Sequence, residues 1–355
     1  MKAKFVTRTD TITREEWLKV RSLGIGGSDA GVLMGASPYK SRFSLWAEKT
    51  GTVETTFSGN EATDWGHALE LPVAEMFAKV TNHAVVACPV TLAHPEHPFM
   101  QANVDFFIVE ADMNFPAGQV TARGEVNPVD WWEAEEDQLQ AWLDSWHPIA
   151  ILEIKTTGIA TRGNAREWEG EGVPANYVWQ GAHYAACTGI THVIYAALVG
   201  GQGLQIRERE FPKAALDNLI REEITFWEQV TKREQPEPSG LDDDFNTLKA
   251  LYPVSNSETV TADHDIVQAI QVYRRTKAQI AELESAMKEA RATIESYLGS
   301  ADTLADEAGN VLLTYKSNKV GTTLDVKALT AAHPDIVAQF QTVKQGARVL
   351  RVKGE

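Results

Sequence analysis

The sequence predicts a mixed α/β core with a smaller, largely helical extension behind it. Three observations carry that prediction. The segments AILEIKTT (150–157) and HVIYAALVGG (192–201) show the alternating and continuous apolar patterns of strands. Residues 44–51 and 65–81 place apolar side chains at three-to-four spacing, as amphipathic helices do. The run EQPEPSG (234–240), with two prolines and no apolar residue, then reads as a break before a long periodic segment. A chain of 355 residues with 43% hydrophobic content can bury a sizeable core and carry a second domain. The predicted divisions are a core over 1–235, a linker over 236–260 and an extension over 261–355.

In chain order, a helix is expected from Arg14 to Val20, then a Gly- and Ser-rich loop between Ser22 and Ser37 that feeds a small helix. Helices over Ser44–Gly51 and Trp65–Thr81 precede strands over Ala84–Val90 and Ala102–Val109. Between Asp112 and Pro148 the pattern breaks into an acidic, tryptophan-dense stretch, VDWWEAEEDQLQAWLDSW, which reads as an insertion between two core strands. A helix over Pro174–Thr188 lies between the two strongest strands, and another spans Phe211–Arg233. Ile266, Ile270, Tyr273, Ile280, Met287, Ile294 and Leu298 keep a three-and-four rhythm, with gaps at Lys277, Glu284 and Arg291. One long helix with a coiled-coil seam follows from that rhythm. A DEAGN turn, a strand VLLTYKS and a last helix near Val326–Thr330 complete the chain.

Composition removes several classes. The net charge of −16 repels a polyanion at long range, so any contact with DNA has to be local, in a basic or metal-loaded groove. Cys88 and Cys187 lack the paired spacing of zinc or iron-sulfur sites and read as buried thiols. No run of about 18 apolar residues occurs, and MKAKFVTRTDTITREEW has no apolar signal region, so a soluble intracellular protein with no membrane partner is expected. GIGGSDAG has neither the third glycine of a dinucleotide loop nor a GK[ST] ending, and both nucleotide readings are rejected.

LEIK is the strongest chemical signal. Alternation turns Leu152 and Ile154 to one face and Glu153 and Lys155 to the other, roughly 7 Å apart along the strand. A carboxylate for a hard cation and an ammonium to orient water or balance phosphate charge are the parts phosphodiester hydrolysis needs. Taken alone, the pair reads as a solvated strand face, since Glu and Lys two apart on a strand are common. Asp105 sits in the apolar QANVDFF, where a carboxylate needs a ligand or a hydrogen-bonded strand end. Glu70, just before Pro72, reads as a third metal ligand or as a helix-start residue. Gln180 and Tyr184 share a helix face suited to bonding the catalytic strand, or to plain packing. Arg21 and Ser28, near Gly-rich backbone amides ahead of a helix, form either a phosphate clamp or a turn with an N-cap.

Read together, RSLGIGGSDAGVLMGASPYKSRFSLWAEKTG, GHALE, ANVDFF, ILEIKTT and VPANYVWQGAHYAACTG resemble, in order, the motifs of the YqaJ-like viral recombinase family, relatives of phage lambda exonuclease. The resemblance covers about residues 15–235. It implies the PD-(D/E)XK, restriction-endonuclease-like fold, a central mixed sheet flanked by helices. By the same resemblance Asp105, Glu153 and Lys155 are the catalytic acidic pair and lysine, Glu70 joins the two acids at the metal, and Gln180 and Tyr184 form the supporting QxxxY helix. Arg21 and Ser28 match the residues that hold a terminal 5′ phosphate. The acidic insertion makes the interval from Asp105 to Glu153 unusually long for the family.

What the resemblance implies is a Mg²⁺- or Mn²⁺-dependent exonuclease that degrades duplex DNA 5′ to 3′ from linear ends. It would leave a tail for a single-strand annealing protein, and would work as a homo-oligomeric ring in a bacterial host's cytoplasm. An endonuclease or single-strand exonuclease on the same core is the nearest alternative. A catalytically silent DNA- or partner-binding assembly protein is the alternative from another class.

Overall fold

The structure is a computed structural model, and it describes residues 3–53, 61–112, 115, 117–121, 138, 140–141, 147–157, 167–342, 346 and 348–353. Most of the tryptophan-rich insertion lies outside the described residues. The chain divides into two compact units, Met1–Leu251 and Tyr252–Glu355.

The first unit is organised on two sheets. In chain order its described elements are β1 (Lys4–Arg8), α1 (Arg14–Ser22), β2 (Ile25–Gly26), α2 (Gly27–Leu33), α3 (Arg42–Lys49), α4 (Glu61–Thr81), β3 (Ala84–Ala87), β4 (Val90–Ala93), β5 (Met100–Ala102), β6 (Phe106–Val109), β7 (Val120–Thr121), β8 (Ala150–Thr157), α5 (Ala175–Thr188), β9 (His192–Val199), β10 (Gly203–Glu210), α6 (Lys213–Lys232) and α7 (Asp242–Leu251). The central six-stranded sheet runs β10-β9-β8-β6-β3-β7, and the smaller one β1-β4-β5-β2. The central sheet is mixed: β8 pairs parallel with β9 and antiparallel with β6. This is the mixed α/β architecture the sequence predicts.

Both faces of the central sheet are covered. Val73, Ala74 and Phe77 of α4 pack with Val85, Ile108, Leu152, Ile154 and Ala196 on one face. Ala182, Ala185 and Cys187 of α5 pack with Phe107, Ile151, Val193, Tyr195 and Ala197 on the other. Burying each of the valine, leucine, isoleucine and phenylalanine side chains among them contributes about 1.5–3 kcal/mol. LEIK therefore alternates as its pattern requires, but the Glu153 face lies against α5 and Glu153 itself is fully buried. No helix among the described residues is long and apolar enough to cross a membrane.

Several expected elements divide or shift. The strand expected over Ala102–Val109 is two strands in different sheets, with Asp105 in the turn between β5 and β6. Asp105 is thus not inside an apolar strand; it sits where the chain changes sheets. The strand expected over Ala84–Val90 breaks at Cys88–Pro89, because a proline contributes no N–H to a ladder. Glu70 is not a helix-start residue: α4 begins at Glu61 and continues through Pro72. The strands β1 and β10 were not anticipated, since Lys4–Arg8 is short and GLQIRERE carries charge on alternate positions.

The stretch read as a linker, 236–260, contains α7. Its Asp244 accepts hydrogen bonds from the Ser239 and Gly240 N–H groups, both at 2.7 Å, and from the Ser41 hydroxyl at the start of α3. These bonds return the chain to the core after the two prolines. Asn offers one acceptor oxygen where Asp offers two, so it cannot accept from both the backbone N–H groups and the Ser41 hydroxyl, and Asp244→Asn is expected to cost about 1–3 kcal/mol. The urea midpoint of the variant against the parent chain measures it.

The second unit contains α8 (His264–Leu298), the hairpin of β11 (Thr303–Ala305) and β12 (Val311–Thr314), α9 (Val326–Ala332) and α10 (Pro334–Gln339). The 35 residues of α8 match the long helix read from periodicity, and the Asp263 side chain caps it by accepting from Ile266 N–H at 2.9 Å.

Candidate active site

Strand β8 brings the acid and the ammonium together. Glu153 Oε1 pairs with Lys155 Nζ and accepts from Gln180 Nε2 of α5 at 2.6 Å. Lys155 Nζ also stands 4.8 Å from the centre of the Tyr177 ring. Glu153 Oε2 is buried and has no hydrogen-bond partner among the described residues. Asp105 approaches from the β5–β6 turn, and its Oδ2 accepts the Ile154 N–H at 2.9 Å, which fixes the turn to β8. Burial and the Glu153 charge raise the Asp105 carboxyl well above its usual range. Burial likewise raises Glu153, against the pull of Lys155. Burial disfavours a charged Lys155, but the Glu153 and Asp105 carboxylates outweigh it and hold the ammonium above its ordinary value.

The helical side of the site depends on small residues. Gln180 Nε2 also donates to the Tyr184 hydroxyl at 3.0 Å, so the two residues act on Glu153 as one group. A Cβ at Gly181 would lie 2.0 Å from the Tyr195 hydroxyl on β9, and one at Gly27 would lie 2.6 Å from the Tyr184 ring. Only glycine lets α5 approach the sheet, and α2 approach α5, this closely.

Arg21, in the last turn of α1, donates to the Ser28 hydroxyl at 2.5 Å in the first turn of α2. The guanidinium lies 5.4 Å from the Trp17 ring centre and 3.6 Å from Asp29 Oδ1. Asp29 and its partner Lys49 were missed by the sequence reading. Its Oδ2 takes the Gly26 N–H at 3.0 Å and the ammonium of Lys49 at 2.9 Å, and the Lys49 side chain is fully buried. Lys49 in turn reaches the Arg21 carbonyl at 3.2 Å, closing the cluster. The signal available was the position of Asp29, three residues after Gly26 at the start of a helix, where a carboxylate caps backbone N–H groups.

Known proteins give the following comparisons. The YqaJ-like viral recombinase domain model matches residues 16–191, the interval that contains all eight residues predicted for the site. An uncharacterized protein YqaJ of Bacillus subtilis (strain 168) is 30% identical over 348 residues, covering 97% of this chain and 95% of that protein. The chain belongs to the YqaJ-like viral recombinase family. Among solved structures it is similar to an alkaline exonuclease (LHK-Exo) from Laribacter hongkongensis, with 14% identity, a TM-score of 0.43, and 66% of this chain and 97% of that chain covered. LHK-Exo in complex with dAMP gives 15% identity and the same TM-score of 0.43.

In this YqaJ-family chain a cavity of about 670 Å³ is lined by Trp17, His67, Glu70, Asn103 and Asp105 among others; Glu153 and Lys155 are not part of its lining. Glu70 bonds His67 Nδ1 at 2.9 Å, and its charge adds to the upward shifts of Asp105 and Glu153. Among the described residues no three His, Cys, Asp or Glu side chains converge as a complete metal-ligand set. The donors nevertheless fit a hard divalent cation. Glu153 keeps one buried oxygen unpartnered, Asp105 and Glu70 repel it, and such a cation completes its shell with water and phosphate oxygens.

A second buried pair lies beneath α5. His183 Nδ1 contacts Glu223 Oε1 of α6 at 2.8 Å, and His183 Nε2 contacts the Gln101 carbonyl of β5 at 2.9 Å. Glu223 lies outside the matched interval, and no local pattern marks it. This pair joins α5, α6 and the smaller sheet behind the residues that hold Glu153.

The Asp29 cluster yields a pH dependence. Burial alone would raise the Asp29 carboxyl, but Lys49 and Arg21 outweigh it and lower it far below its ordinary 3.8. A group depressed in the folded state stabilises the fold above its unfolded pKa and loses that contribution as pH falls toward its folded value. Stability should therefore decline as acid is added below about pH 4, and Asp29→Asn should flatten that limb while lowering stability at pH 7 by about 3–5 kcal/mol. Urea unfolding of both chains between pH 2.5 and 7 measures it.

Proposed function

We propose that this chain is a metal-dependent deoxyribonuclease that hydrolyses one strand of duplex DNA from linear ends, 5′ to 3′, leaving single-stranded tails for phage-type homologous recombination. The observation that carries the reading is the fully buried Glu153, one oxygen held by Lys155 and Gln180 and the other without a partner, with Asp105 tied to the same strand. A buried carboxylate oxygen without a donor is costly, and a bound cation would relieve that cost. Membership of a viral recombinase family supports DNA as the substrate.

Each residue has a distinct task. Asp105 and Glu153, with Glu70 across the cavity, would hold Mg²⁺ or Mn²⁺. When bound, that cation supplies Lewis-acid activation of the scissile phosphodiester. Lys155 balances the negative charge that grows on the phosphate and orients a water by donating to it. Gln180, backed by Tyr184, keeps Glu153 from turning away. Arg21 and Ser28 receive the 5′ phosphate as charge-assisted donors, and Asp29 and Lys49 fix the arginine. A homo-oligomeric ring would reconcile the net charge of −16 with DNA binding, since basic groups can line a channel inside an acidic exterior. The tail would pass to a single-strand annealing protein in the cytoplasm of a bacterial host.

Linear duplexes labelled at either the 5′ or the 3′ end, with Mg²⁺, Mn²⁺ or EDTA, and beside a covalently closed circle, test the reading. Metal-dependent release from 5′ ends with the circle intact is expected; a cut circle would indicate an endonuclease, and no cleavage with either metal a binding protein. Glu153→Gln and Lys155→Ala should each abolish cleavage while far-ultraviolet circular dichroism stays that of the parent; Glu153→Gln should keep the melting temperature near the parent's, whereas Lys155→Ala, which takes the ammonium from a buried carboxylate, should lower it. Activity close to the parent's in either variant removes the assignment.

Arg21→Ala should act at the DNA end. The variant is expected to lose the preference for 5′-phosphorylated over 5′-hydroxyl duplexes, with the hydroxyl rate little changed. Equal loss on both substrates would show that Arg21 does not serve the terminal phosphate.

A further inference from the structure

Helix α8 carries an apolar seam that its own unit leaves open. Ile266, Tyr273, Ile280, Met287 and Ile294 recur every seven residues and are each at least 40% exposed. Three residues after each stand Ala269, Thr276, Leu283, Ala290 and Tyr297, of which Leu283 is 71% and Tyr297 79% exposed. These two rows are the a and d positions of a heptad repeat. Lys277, Glu284 and Arg291, which look like interruptions in the sequence, fall at e positions and flank the seam. Other faces of the helix are engaged within the unit: Leu298 is buried, and Arg274 bonds the Lys353 carbonyl.

We propose that the seam is the contact for a second copy of this chain, with the two α8 helices antiparallel and related by a twofold axis between Ala281 and Glu282. The two rows complement each other in that arrangement. Ile266 meets the second copy's Tyr297, Tyr273 its Ala290, Ile280 its Leu283, Met287 its Thr276, and Ile294 its Ala269. Three of the five layers, those of Tyr273, Met287 and Ile294, pair a large residue with a small one, as interdigitating packing requires. In an antiparallel pair e positions face e positions, and this register sets Lys277 against Glu284 of the other copy, twice by symmetry. A parallel, in-register pair would stack Tyr273 on Tyr273, and would set Lys277 against Val272 and Glu284 against Gln279, with no ion pair. A helix of 35 residues is a rod of about 52 Å, long enough for a stable two-stranded seam. This pairing stands apart from the catalytic reading and fails or holds without it.

The full chain is measured by sedimentation equilibrium beside Ile280→Asp, whose exposed position leaves the fold of the monomer untouched. The parent should be heavier than the variant, by a factor of two where the first unit is monomeric on its own and by the joining of whole assemblies where it is not. Lys277→Glu and Glu284→Lys should each weaken pairing roughly tenfold, and the double swap should restore it. Spin labels at cysteines placed at Glu282 and, separately, at Gln268 then fix the direction, because Cys88 and Cys187 are buried. Both sites are exposed and equivalent on the helix. Antiparallel pairing gives a short distance at 282 and one of about 40 Å or more at 268. Equal mass for parent and Ile280→Asp, as a seam kept for a different protein would give, overturns the proposal. Short distances at both sites, or a double swap no better than the single ones, overturn the antiparallel register.

Discussion

A carboxylate without solvent governs the first unit. Leaving Glu153 charged inside a covered sheet would cost many kcal/mol without compensation. The surroundings supply it in two parts, Lys155 from the same strand and Gln180 from α5, while the peptide N–H of Ile154 holds the second acid, Asp105, beside it. Each part sets a constraint elsewhere. Gln180 reaches Glu153 because α5 lies close to the sheet, and α5 keeps its place through His183, Glu223 and the Gln101 carbonyl. The compensation stops one oxygen short: among the described residues nothing donates to Glu153 Oε2.

The Asp29 cluster solves the same problem with a different result. There the buried carboxylate is fully matched by Lys49, Arg21 and a backbone N–H, and its acidity moves down, whereas Glu153 moves up. The matched acid fixes an arginine that also donates to the Ser28 hydroxyl; the incompletely matched acid keeps a raised pKa. Two acids of one chain, both inaccessible to water, are given opposite characters by the number of cations beside them.

How much of this was legible depended on the range of the interactions. LEIK was readable because strand alternation is local, and so were the long helix α8 and the Gln180–Tyr184 face. That Glu153 is covered was not readable, since the pattern of β8 fixes which residues share a face but not what lies over that face. Asp105 was placed in an apolar strand because ANVDFF looks continuous, and only the division of β5 and β6 between two sheets reveals the turn. The region after Arg233 looked like a linker for a related reason. Two prolines dominate it locally, while the bond that holds it, Ser41 to Asp244, spans 203 residues. Glu223 and Asp29 were missed as buried ions because a charged residue on a helix resembles a surface residue until its partner is known.

The contact between Gly181 and Tyr195 bears on how this family can diverge. A methyl group at 181 has nowhere to go except into the tyrosine hydroxyl, and yielding there would carry the neighbouring Gln180 away from Glu153. Sequence drift at 181 is thereby coupled to drift at 195: a larger residue on the helix becomes viable only after the tyrosine has shrunk. Among descendants of this chain the two positions should change as a pair, and a record of their joint changes would trace the closeness of helix and sheet without reference to any catalytic side chain.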